Sequence, residues 1–271
     1  MTLVPFVFGK VPARGDFVRA GHRTPLLDEL DGWLQRGLLA HRAPLPADGP
    51  PVAFVLGRPG AALLGVFVPS RDRAGRAFPL VVGASADAPR PVTGRDVTAW
   101  APLLTASAAC AAGVAADALA PDEALPLLDV PPAPTPEAFL GLHPATVFGG
   151  EVEGTVRALP DALRPFRMAG AAPRYGLGLP LPADPAVRTA AAGFWLDAVT
   201  RVAGPRVVTT LLWAADGPHA RLALFLGPPT PDALGYLLAA RSAEGVYDLD
   251  AAASPASPTG APTLRALLDR L

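Results

Sequence analysis

Short apolar segments bounded by glycine and proline recur along both halves of the chain. They are rich in Val, Phe and Leu, which is typical of buried β-strands. These predicted strands are residues 3–8, 51–57, 63–68, 78–84, 207–214 and 221–226, with a possible strand at 150–157. The last two strong candidates are separated by Asp-Gly-Pro-His at 216–219, which predicts a turn.

Helical periodicity appears between these segments. Leucines at 27, 30, 34 and 38 recur every three or four residues and follow Thr24-Pro25, an N-cap and first-turn pair. This pattern predicts an amphipathic helix of about four turns. Further helices are predicted over residues 96–119, 184–202, 230–241 and, at the end of the chain, around 264–271.

Strands and helices are interspersed, which favours an α/β fold. We expect a layered α/β/α sandwich with a mixed, largely antiparallel sheet, formed by a single domain over residues 1–250. Residues 121–136 contain six prolines and predict a stiff, extended surface connector. Residues 251–271 predict a flexible linker followed by a short terminal helix.

Composition narrows the function classes. Hydrophobic residues make up 51% of the 271 positions and the net charge is −1, so the chain is globular and lacks the positive field typical of nucleic-acid or anionic-membrane binding. No secretion signal or bilayer-spanning segment is evident, and the single cysteine, Cys110, suits a reducing compartment and a buried position. We expect a cytoplasmic protein.

Common catalytic and cofactor motifs are missing. The four histidines lack metal-ligand spacing, and the chain has no phosphate-binding loop, dinucleotide fingerprint or nucleophile elbow. We therefore expect no catalytic residues, no metal and no cofactor. Ser70, with His22 or His41 as base, is the one conceivable nucleophile, and its alternative role is to begin a turn through its hydroxyl.

Two polar loops carry the most distinctive residues. The first, GKVPARGDFV at 9–18, contains Gly9 and Gly15, which permit positive φ, Pro12, which fixes φ, and Asp16, which can turn the backbone. The second loop, PSRDRAGRAFP at 69–79, is longer than a usual hairpin connection.

The second loop needs something to hold it, because ordering a long connection costs entropy. Asp72 can do so by pairing with a guanidinium such as Arg76 or Arg14. The alternative is a solvated turn with an exposed ion pair of little energetic value.

Three segments together resemble a known family. GKVPARGDFV, then DGWLQ at 31–35, then VPSRDRAGRAFPLVV at 68–82 are similar to the pattern of the TagF (ImpM) family, accessory proteins of bacterial type VI secretion. Residues 193–195, 208–213 and 226–229 resemble the family's second half more loosely. The chain departs from the family in lacking a tryptophan-rich stretch before the second strand, and residues 121–136 and 251–271 look like local additions.

The resemblance implies a cytoplasmic, non-enzymatic, post-translational repressor of type VI secretion that binds the system's forkhead-associated scaffold protein. On this interpretation one group of residues contacts the partner: Lys10, Arg14, Phe17, Arg71 and Arg73. A second group shapes the loops and the nearby core: Gly9, Pro12, Gly15, Asp16, Trp33, Pro69, Ser70, Asp72, Gly75, Arg76 and Pro79. For Asp16, Asp72 and Arg76, direct contact with the partner stays open as the alternative.

An alternative function rests on the charge of the second loop. Its three arginines and one aspartate give it a net charge of about +2, so Arg71, Arg73 and Arg76 could grip a phosphorylated partner bidentately. The protein would then be an anion- or phosphate-binding module.

Overall fold

The structure is a computed structural model. It describes residues 2–41, 49–132, 137–148, 152–165, 175–205, 208–215, 221–239, 244–249 and 261–271. In these residues no helix is both long and apolar enough to cross a membrane.

Nine strands form one open, mixed sheet that is mostly antiparallel. The strands are β1 Leu3–Gly9, β2 Val18–Gly21, β3 Val52–Arg58, β4 Gly60–Val68, β5 Leu80–Ala88, β6 Gly176–Pro180, β7 Thr209–Ala214, β8 Arg221–Phe225 and β9 Val246–Asp248. Their order across the sheet is β2-β1-β5-β4-β3-β7-β8-β6-β9, and β6 with β9 is the one parallel pair among the described strands.

Helices cover both faces of this sheet. The α-helices are α1 Pro25–His41, α2 Gly94–Ala99, α3 Ala101–Ala115, α4 Pro121–Ala124, α5 Glu137–Leu140, α6 Pro144–Phe148, α7 Val152–Ala162, α8 Arg188–Ala203, α9 Ala233–Ala239 and α10 Leu264–Leu268. Short 3₁₀ turns follow α4 at Leu125–Leu128 and precede α8 at Pro185–Val187.

The core has two layers because side chains of a strand alternate between the faces of a sheet. In β1, Phe6 and Phe8 join the core under α1 and α9, whereas Val7 joins the core under the other helices. Strand β3 repeats the alternation with Phe54 on the first side and Val55 on the second. The architecture is the α/β/α sandwich with a largely antiparallel sheet that the sequence predicts.

Most individual elements also agree with the sequence patterns. Strands β1, β3, β4, β5, β7 and β8 and helices α1, α8, α9 and α10 lie where apolar periodicity places them. The predicted helix over 96–119 is divided at Trp100 into α2 and α3. The predicted cap of α1 is present, since the backbone N–H of Leu27 donates to Thr24 Oγ1 at 3.2 Å.

Two predictions of local structure are wrong. The possible strand at 150–157 is helix α7 from residue 152 onward, because Val152, Val156 and Leu159 form a helical stripe that is buried. Residues 121–128 are not extended: α4 and the following 3₁₀ turn bury Ala124 and Leu128, with proline at the first helical turn, where its missing N–H costs nothing.

Some predictions fall outside the described residues. These are the turn at 216–219, the linker at 251–260 and the end of the proline-rich segment at 133–136. The terminal helix α10 is described and packs against the body of the molecule: the backbone N–H of Leu264 donates to the carbonyl of Leu142 at 2.9 Å, and Leu264, Leu267 and Leu268 are buried.

Candidate functional site

The two polar loops lie side by side at one end of the sheet. The 9–17 loop leaves β1, and the 69–79 loop connects β4 to β5, the strand that pairs with β1. Two hydrogen bonds join the loops: the backbone N–H of Arg73 donates to the carbonyl of Arg14 at 2.8 Å, and Arg76 Nη2 donates to the carbonyl of Gly15 at 2.6 Å. The sheet topology therefore brings together two segments that are far apart in the sequence.

Asp72 is the centre of this arrangement. Its side chain is fully buried, and Oδ2 accepts from Arg76 Nε at 2.7 Å and lies 3.0 Å from Lys10 Nζ. Oδ1 accepts from the backbone N–H groups of Ala74 at 3.0 Å and Arg76 at 2.9 Å. One carboxylate thus closes its own loop and ties it to the first loop.

These contacts set the ionisation of Asp72. Burial by itself raises the pKa of the carboxyl, but hydrogen bonds from the backbone of Arg76 and from the side chains of Lys10 and Arg76 outweigh it. The net result lowers the pKa of Asp72 from 3.8 to about 2. The carboxylate that joins the loops is therefore fully ionised at neutral pH.

Lys10 lies in the interior of the site. The residue is 7% exposed, and its ammonium points at Asp72 and lies 5.2 Å from the centre of the Phe17 ring. The resemblance implies a partner contact for Lys10. In the structure its polar atom is already engaged within the protein, and little of its surface is open to a partner.

Backbone conformation at two glycines shapes the loops. Gly9 has φ +134°, and a Cβ there would lie 2.2 Å from the carbonyl oxygen of Pro79. Gly75 has φ +80° in the turn closed by its N–H to the carbonyl of Asp72 at 2.8 Å, with open space around its Cα. Gly9 thus allows close packing of the two loops, whereas Gly75 supplies only the turn conformation.

The outer face of the paired loops carries free guanidinium groups. Arg14, Arg71 and Arg73 are exposed, and their side chains make no hydrogen bond or ion pair with other described residues. Phe17 lies beside them, 37% exposed, with its ring edge-on to buried Phe78 at 4.9 Å. We call Arg14, Phe17, Arg71 and Arg73 the cationic patch.

The remaining predicted residues occupy different places. Asp16 is exposed and accepts from the backbone N–H of Phe17 at 2.8 Å, so it turns its own loop and is not seen to bridge to the second. Ser70 is 9% exposed, and its carbonyl accepts from the N–H of Phe78. Pro12 is exposed, Pro69 is half-buried and Pro79 is buried against Gly9.

Trp33 is a residue of α1, and its side chain is buried in the core between this helix and the sheet. Its indole Nε1 donates to the carbonyl of Thr230 at 2.9 Å, and its ring packs edge-on against Phe67 at 6.2 Å. Trp33 therefore links α1 to the start of α9 and to β4, the strand that leads into the second loop.

Sequence reasoning missed Arg19. Its guanidinium carbon lies 6.0 Å from the centre of the Phe17 ring, within cation–π range. The sequence gives no clear signal for this contact, because residues 9–18 are predicted as a polar loop and strand β2, which carries Arg19, is not predicted.

Possible metal-ligating side chains are not grouped at the site among the described residues. No group of three or more His, Cys, Asp or Glu side chains is placed to hold a metal ion there. Cys110 is buried far along α3, and burial raises the pKa of its thiol, so it behaves as an apolar side chain.

The site falls within a matched family domain. The model of the TagF N-terminal domain, described as type VI secretion system-associated, matches residues 7–128. Residues 7–128 are a TagF N-terminal domain. This TagF domain contains both loops, Trp33 and the five strands β1 to β5, and it ends in the 3₁₀ turn after α4, so the first half of the proline-rich segment belongs to it.

A solved structure extends the likeness in fold to nearly the whole chain. The crystal structure of PA0076 from Pseudomonas aeruginosa PAO1 is similar to this chain with a TM-score of 0.51 and 22% sequence identity. The match covers 88% of this chain and 95% of PA0076, so the likeness in fold includes the TagF domain and most of the chain after residue 128. No curated protein sequence matches the chain significantly.

Proposed function

We propose that this protein is a non-enzymatic, cytoplasmic regulator that represses type VI secretion after translation by binding the forkhead-associated scaffold protein of the system. The association with type VI secretion comes from the TagF domain over residues 7–128. The repressor role and the scaffold partner are what membership in this family suggests, and the cationic patch is the surface that best suits such a contact.

The observation that carries the proposal is that some charged side chains of the paired loops are paired with one another and others are unpaired. Asp72 pairs with buried Lys10 and with exposed Arg76, whereas Arg14, Arg71 and Arg73 are exposed and have no partners among the described residues. The hydrogen-bonded backbone of the two loops is pre-organised for binding, because its ordering entropy has already been lost on folding.

The chemistry of the patch also suits a protein partner. Arg and aromatic side chains are the most enriched residues at binding hot spots, where they combine apolar area with hydrogen-bond donors. Phe17 supplies the exposed aromatic surface and is held edge-on by Phe78. Three surrounding arginines predict a partner surface that is acidic.

In the phosphate-binding alternative, one of the three arginines is already engaged by contacts within the protein. Arg76 donates to Asp72 and to the carbonyl of Gly15, so of Arg71, Arg73 and Arg76 only two guanidinium groups are unengaged. Arg14 is the better third member, since its backbone is hydrogen-bonded to that of Arg73. Calorimetry with a phosphothreonine peptide and its unphosphorylated twin separates this alternative from recognition of an ordinary acidic surface.

A genetic experiment tests the proposed function. Deleting the gene should raise secretion of type VI substrates, and the wild-type protein supplied in trans should restore repression. The variant Arg71→Ala/Arg73→Ala should fail to restore it at equal protein level. Arg157→Ala is the control, because Arg157 is an exposed arginine on α7, the helix near the opposite edge of the sheet.

Two results would contradict the proposed function. If deletion leaves secretion unchanged and the purified protein does not retain the scaffold in a pull-down, the protein is not this repressor. If both arginine variants restore repression like the wild type, repression does not act through the cationic patch.

A further inference from the structure

An open sheet edge lies directly beside the cationic patch. Strand β2 pairs with β1 on one side, and no described strand pairs with its other side. The strand begins at Val18, immediately after Phe17, so its backbone continues the patch. An edge strand presents unpaired N–H and C=O groups that can accept another strand.

The side chains along and beside β2 determine the charge of this edge. Arg19 is exposed and reaches the ring of Phe17, and Arg14 and Arg73 stand at the start of the strand. Arg23, just past its end, is exposed and pairs with Asp28 at 2.6 Å. The unpaired charges nearest Phe17 at this edge, on Arg14, Arg19 and Arg73, are therefore positive.

The opposite face of β2 is apolar. Val18 and Ala20 are half-buried against the core under α3 and α4. A cavity of about 240 Å³ lies between Val18 and the loop from Ala118 to Pro121, and Arg14, Asp117 and Glu123 line it together with the apolar side chains. A strand lying next to β2 would thus find Arg19 on one face and a recess with a mixed apolar and charged lining on the other.

We propose that β2 accepts an extended, acidic segment of the protein partner as an added strand. The inference rests on the proposed function and specifies how that partner docks. Main-chain hydrogen bonds to the open edge supply affinity, acidic side chains at alternate positions meet Arg19 and the patch, and the intervening side chains face the recess beside Val18.

The short length of β2 sets the size of this contact. Four residues allow about four residues of an added strand to pair, a small footprint that needs the neighbouring patch to reach useful affinity. A charge on a short edge strand also discourages pairing with arbitrary strands. Arg19 therefore discourages pairing of β2 with arbitrary strands and favours pairing with an acidic segment.

Hydrogen exchange measured on the complex tests the proposal. The full chain is mixed with the forkhead-associated scaffold protein, and exchange of the backbone amides of Val18–Gly21 is compared with that of the free chain. Strand addition predicts at least tenfold slower exchange of the outward-facing amides of β2. The amides of β9, at the other edge of the sheet, should not change and serve as the internal control.

The outcomes separate the two proposals. If the complex forms and the exchange of β2 is unchanged, the strand-addition proposal is wrong while the proposed function stands. If no complex forms, the proposed function fails and the strand addition that depends on it fails too.

A pair of charge variants provides an independent readout. Arg19→Glu should weaken scaffold binding by tenfold or more, whereas Arg157→Glu makes the same charge change on α7 and should leave the affinity unchanged. Circular dichroism of both free variants checks that they fold. Equal affinities for Arg19→Glu and Arg157→Glu would overturn the role of the β2 edge.

Discussion

At the scale of single residues, Asp72 organises the candidate site. It lies between a buried ammonium, a guanidinium and two backbone N–H groups, and each of its oxygens has at least two partners. A buried charge whose partner is removed is left uncompensated, which costs far more than the net value of the pair. Replacing Asp72 should therefore destabilise the protein mainly because the buried ammonium of Lys10 loses its counter-ion.

Replacement of Asp72 by asparagine should lower the thermal midpoint markedly. The amide keeps the shape of the side chain but leaves Lys10 without a counter-ion in a buried position. Asp72→Asn/Lys10→Met should be more stable than Asp72→Asn alone, because the second change removes the unpaired charge. Differential scanning calorimetry of both variants, with exposed Asp16→Asn as control, makes the comparison; a double variant less stable than the single one would contradict it.

The depressed pKa of Asp72 also predicts a pH dependence. A carboxyl whose pKa is lower in the folded protein than in the unfolded chain stabilises the fold above the unfolded value, and this contribution is lost as the pH falls through the folded value. The pKa is about 2 in the folded protein, against 3.8 ordinarily. The difference in free energy of unfolding between wild type and Asp72→Asn should be constant above about pH 5 and shrink between about pH 4 and 2 in urea titrations.

Two glycine variants distinguish loop packing from turn conformation. Gly9→Ala should destabilise the protein by about 2 kcal/mol or more, since it adds a clash with Pro79 to an unfavourable φ. Gly75→Ala meets no neighbour and should cost only about 1 kcal/mol for its φ. Chemical denaturation measures both values, and equal losses would show that Gly9 has no special packing role.

At the scale of elements, the sequence predicts the two helix layers and most strands because their apolar periodicity is strong. It does not reveal β6, a short strand of glycine, leucine and proline whose identity comes from pairing with β8 and β9. Nor does it separate helix from strand in α7, because Val152 and Val156 suit either structure until tertiary packing decides.

The sequence predicts which two loops form the candidate site but does not predict all of the contacts between them. The glycines, prolines and charges of the two loops mark them as distinctive, and the sequence predicts that Asp72 pairs with a guanidinium but leaves Arg76 and Arg14 both open; the structure shows Arg76. The sequence does not predict the contact of Lys10 with Asp72, because it depends on β5 lying next to β1 in the sheet. Pairing of strands distant in sequence is decided by the whole core.

Trp33 tests how α1 is anchored to the rest of the fold. Trp33→Phe keeps an aromatic ring but removes the donor to Thr230, and it should cost about 1 kcal/mol. Trp33→Ala also empties the contact with Phe67 and should cost about 3–5 kcal/mol. Urea denaturation gives both losses, and a Trp33→Ala variant as stable as Trp33→Phe would contradict the packing role.

At the scale of the whole molecule, the α/β/α sandwich holds the candidate site at one end of its sheet. The loops, the patch and the β2 edge all lie at the β1–β5 side, within residues 7–128. The remaining strands and helices complete the sheet and its two cores. This arrangement fits a protein that works by presenting a surface.

Isothermal titration calorimetry of the purified protein with the forkhead-associated scaffold protein tests the central claim most directly. The wild type should bind the scaffold protein, and its affinity should fall with added salt, because the patch is cationic. Arg71→Ala/Arg73→Ala should lose at least tenfold in affinity, and Arg157→Ala should bind like the wild type. If the double variant binds as tightly as the wild type, the cationic patch is not the binding surface, and if the wild type does not bind at low salt, the scaffold protein is not the partner.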